Sequence, residues 1–495
     1  MDAAALKREL QWALLKIQVL EERLRLERIK KYGPASDKLS DAQLRLLNDE
    51  PGVSREEVEA ESRREPLPEP RQRRDRRPHP GRQTLPPELP RVERVIACAA
   101  GQCQCKSCGE AMEVIGYDES EMLDVEPAKY FVAVLKREKR ACRRCQQGGV
   151  ATAPVPARIV DKGLVSDRVV VDTIVGKYCD HLPLYRQSAI LERETGVEIS
   201  RATLDGWVMR VGELLTPVAR AIGREVLAGG YVQADETTVE VQMHDRRGHN
   251  HEAYLWQYGR PGGGVMFDFR LGRGRAGPKE FLGDYQGILQ TDGYIAYEKT
   301  GGPKMVHAAC WAHSRRGFVD ALKLNPRDAA ARGIVDLIDE LFAVDAEARQ
   351  LGADRAGRDA LRQERSRSLL DQIKAAVEAA ANGTLPSSKL GEAIKYTLGL
   401  WPKLIRFLDH PVLELSNNIA ENSMRPIAVG RKNWIHVGSP QAGPKVAAIL
   451  SAVDTCKRMG IPVRDYLAAV LPGLAGVSIQ RIPELTPAAW AARRG

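Results

Sequence analysis

Apolar residues stand at Leu6, Leu10, Ala13, Ile17, Leu20 and Leu24, in steps that alternate between four and three among Lys, Arg and Glu. This spacing predicts a coiled-coil seam within residues 1–50. An amphipathic helix docked on its own domain stays open as a second reading, because only about three heptads are present. Gly33-Pro34 interrupts the pattern, and a second short helix is expected from Leu39 to Leu47. Over residues 51–93 periodicity disappears into ESRREPLPEPRQRRDRRPHPGRQTLPPELPR, too rich in proline and charge to bury a core, so a disordered linker is expected.

Helical periodicity returns over residues 166–228. PLYRQSAILERETGVEISRATLDGWVMRV predicts one helix, a break at Gly196, and Ser200 as the N-cap of the next. A helix-turn-helix would set Arg201 and Thr203, near the second helix's start, against DNA, and an ordinary αα-hairpin has the same outline. The period then changes. YVQADETTVEV, AYLWQYG and GVMFDFR predict three antiparallel strands separated by Gly-Arg-Pro-Gly punctuation. A short helix around PKEFLGDY follows, then a fourth strand, GILQT, with Asp292 and Gly293 at its exit, and KMVHAACWAH as a fifth. Residues 320–408 are almost wholly helical in pattern.

Composition narrows the class. At 495 residues the chain is long enough for several domains, and 74 Lys+Arg against 65 Asp+Glu, a net charge of +9, suits a polyanionic partner. No secretory signal and no run of 18 apolar residues is present, so a soluble, intracellular protein with no membrane partner is expected. Nine cysteines, four of them in Cys105-Lys-Ser-Cys108 and Cys142-Arg-Arg-Cys145, fit metal better than disulfides. Two such knuckles joined through a hairpin, with a strand expected in KYFVAVLKREKR, predict a ribbon over 94–150 that holds one structural Zn²⁺. Cys98 and Cys103 complicate the register, Cys103 being an alternative ligand with poorer spacing to Cys108.

Three carboxylates carry most of the chemistry: Asp235 in the first strand, Asp292 after the fourth, and Glu421 in SNNIAENSMRP on a late helix. Hard oxygen ligands in that arrangement suit two Mg²⁺ ions held against a phosphodiester. The order of elements is that of a ribonuclease H-like core. The expected fold is therefore multidomain α/β: a coiled coil, a linker, a zinc ribbon, a helical DNA-binding region over 151–228, a catalytic domain over 229–450 and a C-terminal helical region over 451–495. Because 421 − 292 = 129 positions separate the last two carboxylates, a helical insertion at about 320–408 must interrupt the core. Glu421 has a plain alternative, since Asn418 as N-cap would put it at N3, where glutamate merely starts a helix. Cys310 and His313 have metal-ligand spacing, but buried packing is the expected role; Arg315 and Arg316 either bind phosphate or are solvated. Arg425, Arg431, Lys432, Asn433 and Trp434 crowd together after Glu421, as a backbone clamp with a stacking indole or as a helix end with a core tryptophan.

ADETTV, TDGYIAY, CWAHSRRGF and NNIAENSMRPIAVGRKNW together resemble the insertion-sequence-66 family of bacterial DDE transposases, and the likeness runs through nearly the whole chain. The resemblance implies a catalytic triad of Asp235, Asp292 and Glu421, which also hold the Mg²⁺ ions, and zinc ligands at Cys105, Cys108, Cys142 and Cys145. It further implies action on the inverted repeats at the ends of a mobile element, cleavage and strand transfer into target DNA, self-association through the N-terminal helix, and accessory proteins from the same element. The expected location is the bacterial cytoplasm, on the nucleoid when DNA is bound. A ribonuclease H-like nuclease or resolvase, and a zinc-ribbon regulator with an inert catalytic domain, are the competing functions. A glycosidase using Asp235 and Glu236 is poor, because neighbours on a strand point to opposite faces.

Overall fold

The computed structural model describes residues 130–141, 150–161, 163–243, 249–434 and 436–494. The expected coiled coil, the linker and all four proposed zinc cysteines lie outside them. Two short antiparallel strands, β1 (Lys139–Ala141) and β2 (Val150–Thr152), bracket Cys142 and Cys145 in sequence. The strand expected over KYFVAVLKREKR is thus confined to its end. Residues 130–138 form no regular structure, and Phe131, Val132 and Val134 are exposed among the described residues.

Among the described residues three helices precede the main sheet: α1 (Asp167–Tyr178), α2 (Leu184–Thr195) and α3 (Arg201–Ala228). Gly196 ends α2 at φ 69°, the left-handed conformation only glycine adopts freely, and Ser200 caps α3 by accepting the Thr203 N–H, as the sequence predicts. The buried side of α3, including Leu204, Val208, Val211, Leu215, Val218 and Ile222, packs into the larger of two hydrophobic cores.

β3 (Tyr231–Gln242), β4 (Asn250–Gly259) and β5 (Val265–Arg270) form the expected antiparallel meander. After α4 (Ala276–Leu282), β6 (Ile288–Thr291) and β7 (Val306–Ala309) add in parallel on the other side of β3, giving the order β5-β4-β3-β6-β7. The fifth strand is shorter than expected. Cys310 leaves it and serves as N-cap of α5 (Trp311–Leu324), so CWAH starts a helix instead of ending a strand.

The helical segment between the sheet and Glu421 consists of α5, α6 (Ala329–Gln350), α7 (Arg355–Leu361), α8 (Arg367–Ala381) and α9 (Lys389–Leu404), with a π turn at Arg362–Ser366. It has its own core, built on Phe318, Ile334, Ile338, Leu341, Ile373 and Val377, which reaches Tyr231, Ile288 and Ala308 of the sheet. α10 (Asn418–Trp434) returns the chain to the meander, and β8 (His436–Val437) pairs in parallel with the far end of β3. α11 (Gly443–Arg458), buried along most of its length, lies against α3 and β5; α12 (Val463–Val470) and α13 (Pro487–Ala492) complete the C-terminal region. Among the described residues no helix is long and apolar enough to cross a membrane.

Candidate active site

Asp235 sits where β3 passes from fully buried to half-buried residues, and its Oδ1 accepts the Glu236 N–H at 2.9 Å. Burial first, then the negative charge of Glu236, pushes its carboxyl up to about 7; the charges of Asp292 and Glu421 push the same way. Burial is the larger cause, and the neighbouring carboxylates add to it. Glu236, one residue on, is occupied differently: its Oε1 accepts Arg273 at 2.6 Å and its Oε2 accepts the Tyr297 hydroxyl at 2.9 Å. It therefore serves as an anchor for the loop after β5, and the two neighbours cannot form a glycosidase pair.

Asp292 follows β6 immediately. Its Oδ1 accepts the Tyr294 N–H at 2.8 Å, the Thr291 hydroxyl accepts the Gly293 N–H at 3.1 Å, and Tyr396 of α9 donates to the Asp292 carbonyl. Gly293 has φ 92°, a conformation that side chains rarely adopt, so the backbone requires glycine, and a Cβ there would also push aside the end of the Leu400 side chain on the same helix.

Glu421 stands in the first turn of α10. The helix begins at Asn418, and the Ala420 and Glu421 N–H groups return to the Asn417 carbonyl, which puts the cap at Asn417 and Glu421 one position beyond N3. The capping-box alternative built on Asn418 therefore finds no matching geometry. The carboxylate meets α5 instead, with Arg316 Nη2 at 3.2 Å from Oε2 and His313 Nδ1 at 3.6 Å from Oε1. Cys310 completes this corner: the Cys310, His313 and Glu421 donor atoms all lie within 4.8 Å of one another, so the pair expected only to pack stands beside the third carboxylate. Burial pushes the Cys310 thiol up to about 11 and, together with the nearby Arg316 charge, holds the His313 imidazole below its ordinary range against the opposing pull of Glu421.

Under the carboxylates lies a polar network that the sequence reading missed. Gln233 and Gln290, each two residues before a strand aspartate, are about 1% exposed. Gln233 Nε2 donates to Gln290 Oε1 at 2.9 Å, to the Tyr231 hydroxyl at 2.8 Å and to the Ser416 carbonyl at 3.0 Å. Gln290 Nε2 donates to the Ala309 carbonyl at 3.2 Å and the Glu414 carbonyl at 2.7 Å, and Tyr231 donates to Gln290 Oε1. The Trp311 N–H adds a bond to the Leu415 carbonyl at 2.9 Å. Segment 414–417, which leads into the Glu421 helix, is thus tied to the strands carrying the other two carboxylates. A polar residue two places before each aspartate, inside an otherwise apolar strand, was the available signal.

The predicted DNA contacts separate into two groups. Arg201, Thr203, Arg316, Arg425 and Lys432 are exposed. Arg315 is paired with Asp339 of α6, its Nη2 at 2.8 Å from Oδ2. Arg431 donates to the Thr238 carbonyl at 2.7 Å and to Thr237 Oγ1 at 3.2 Å, clasping α10 to β3. Trp434 is half-buried against the larger core, with the Lys177 ammonium 5.4 Å from its ring. These three contribute to packing in this structure, and the last two hold the C-terminal end of the Glu421 helix in place.

Comparison with known proteins places these observations. The family described as "Transposase IS66 family" matches residues 162–445, a span that takes in all three carboxylates, the sheet and the helical segment between them. The "zinc-finger binding domain of transposase IS66" matches residues 102–146, and "Transposase C of IS166 homeodomain" matches residues 19–94. Among curated proteins the chain is similar to "Uncharacterized protein y4qI" of Sinorhizobium fredii, 34% identical over 92% of this chain and 86% of the relative. "Uncharacterized protein y4jD" of the same organism is 34% identical over 82% of each chain, and "Uncharacterized protein y4hP" is 31% identical over 84% of this chain and 78% of that one. With more than half of its length matched, and with that family's zinc-finger domain ahead of the matched core, the chain belongs to the IS66 family of transposases.

Proposed function

We propose that this transposase cuts DNA at the ends of its own element and joins the freed ends to target DNA in one metal-dependent site formed by Asp235, Asp292 and Glu421. The observation that carries the reading is electrostatic: the Asp235 carboxyl is raised by burial and by acidic neighbours that include both other members of the set. The strand order β5-β4-β3-β6-β7, with β3, β4 and β5 antiparallel and β6 and β7 parallel, supports a ribonuclease H-like core. In such a core the carboxylates come from the central strand, the end of its parallel neighbour and a later helix.

The donor chemistry fits Mg²⁺, since carboxylates are hard oxygen ligands and cations would offset the charge that Asp235, Asp292 and Glu421 bring together. When bound, a pair of such ions activates the attacking oxygen and stabilises the leaving one. The chain's own part is positional. Asp235 lies on β3, which pairs with the strand leading to Asp292 and packs against the helix that bears Glu421, while Gln233 and Gln290 fix the two strands relative to segment 414–417 and Arg316 orients Glu421. The exposed Arg425 and Lys432, on the helix that bears Glu421, would hold the phosphate backbone on either side of the scissile bond. Water attacks first at the element end, breaking one phosphodiester and releasing a 3′-hydroxyl, and that hydroxyl then attacks a phosphate of the target strand, displacing the target's own 3′-oxygen, which leaves as a hydroxyl. One structural zinc in the ribbon, on Cys105, Cys108, Cys142 and Cys145, takes no part in this chemistry.

Glu421→Gln tests the reading. Glutamine keeps the size and helix compatibility of the side chain and removes the charged ligand, so cleavage of element ends with Mg²⁺ should fall by on the order of a hundredfold or more while end binding persists. Cleavage near the wild-type rate would remove Glu421 from the site.

A further inference from the structure

Cys310 is fully buried at the N-cap of α5. Its sulfur accepts the Asn417 N–H at 3.4 Å. In the metal-free site burial keeps Cys310 as the thiol, so a cation entering this corner at the positive end of the helix would displace its proton. One turn along the helix, His313 Nδ1 is buried and has no hydrogen-bond partner, although an imidazole nitrogen left so is costly. Its nearest acidic atom is Glu421 Oε1, at 3.6 Å. Asn417, which supplies the backbone donor to the sulfur, is itself fully buried with both side-chain amide atoms unpartnered. Packing alone accounts for the position of Cys310. It does not account for an unpartnered imidazole nitrogen in the same corner as a thiol and a carboxylate.

We propose that Cys310, His313 and Glu421 form a mixed sulfur, nitrogen and oxygen site for a borderline divalent cation, of which Zn²⁺ is the type. Thiolate and imidazole suit Zn²⁺ and are poor ligands for Mg²⁺, so this corner discriminates against the ion that the carboxylates alone would take. The His313–Glu421 separation needs only a small contraction to reach the distance between two ligands of one tetrahedral ion. Binding releases the thiol proton and leaves a fourth position for water or a phosphate oxygen. The zinc site stands independently of catalysis; its consequence rests on the function proposed above. Glu421 belongs to both sets, so zinc here would withdraw a carboxylate from the Mg²⁺ site and inhibit cleavage.

The test counts zinc in the full-length protein after dialysis against micromolar Zn²⁺, without DNA, in wild type, Cys310→Ser and His313→Gln. Both variants should retain about one Zn²⁺ per chain fewer than wild type. His313→Gln alters a partly exposed side chain, so its metal-free melting temperature should match wild type while the zinc-induced rise in melting temperature shrinks. Equal zinc content and equal zinc-induced shifts in all three proteins would overturn the site. If wild type carries the extra zinc and Mg²⁺-driven cleavage is nevertheless indifferent to it, the inhibitory consequence fails and Glu421 loses its shared role. The zinc count itself does not depend on that result.

Discussion

At the scale of single residues, Asp235 links stability, metal and pH. Its folded-state value is about 7 against an ordinary 3.8, so between these values the folded chain keeps a proton that the unfolded chain releases. The contribution is fully present below about pH 4 and is lost as pH rises towards 7, which makes the metal-free protein less stable at neutral pH than in mild acid as far as this group decides. Asp235→Asn should flatten that slope in pH-dependent thermal melts, and Mg²⁺ should raise the melting temperature of wild type at about pH 8 while leaving the variant unmoved. An unchanged slope would mean that another group sets it. Gln290 makes a different prediction. Gln290→Leu deprives the carbonyls of Ala309 and Glu414 of their donor and Gln233 of its acceptor, which should cost about 1–3 kcal/mol in denaturant unfolding. Cleavage should fall more than DNA binding, because segment 414–417 then loses its tie to the strands. The three carboxylates were legible in the sequence because each stands in a distinctive string of residues. The glutamines were not, because a polar residue inside a strand looks like ordinary alternation until its neighbours on other strands are known.

At the scale of elements, the meander, β6, the short helix between them and the three leading helices follow the sequence periodicity closely, since each has one clear apolar face or a buried run. The errors fall where one residue takes an unusual role. Cys310 caps a helix in place of Ser, Thr, Asp or Asn, so the apolar string KMVHAACWAH reads as strand beyond its true end at Ala309. The segment between the last two carboxylates was recognisable as helical, but its internal anchor was not. Arg362, fully buried, donates from Nε and Nη2 to the two carboxylate oxygens of Asp345 and to the Leu413 carbonyl at 2.8 Å, and charges on helices ordinarily face water. This pair joins the insertion to the loop that leads into α10. Gly293 is the corresponding joint on the other side. Gly293→Ala forces a side chain into φ 92° and against Leu400, and should destabilise the protein by roughly 1–3 kcal/mol in equilibrium unfolding. It should also displace Asp292, so that cleavage is lost even at temperatures where the variant is folded. Full activity in Gly293→Ala would mean that α9 can move away without consequence.

At the scale of the whole molecule, the arrangement of functions along the chain matters more than any one contact. On the function proposed above, joining two element ends requires two catalytic units to be held together, and the exposed cations on α3 and α10 would each reach only the duplex lying on their own unit. The heptad-like series from Leu6 to Leu24 offers a means of pairing them. Replacing Ile17 and Leu24 with Asp would place two unpaired carboxylates per chain in an apolar seam, a change that costs several kcal/mol, on the order of 3–5, when such charges stay buried. The variant should therefore fall to the mass of a single chain by light scattering. Binding to one labelled element end should remain, and its salt dependence should be unchanged, because Arg201, Arg425 and Lys432 are untouched. Strand transfer, which consumes two ends at once, should drop sharply, while hydrolysis at a single end should drop less. If the mass and the transfer rate both stay at wild-type values, the N-terminal helix docks on its own chain and the two units must meet through another surface.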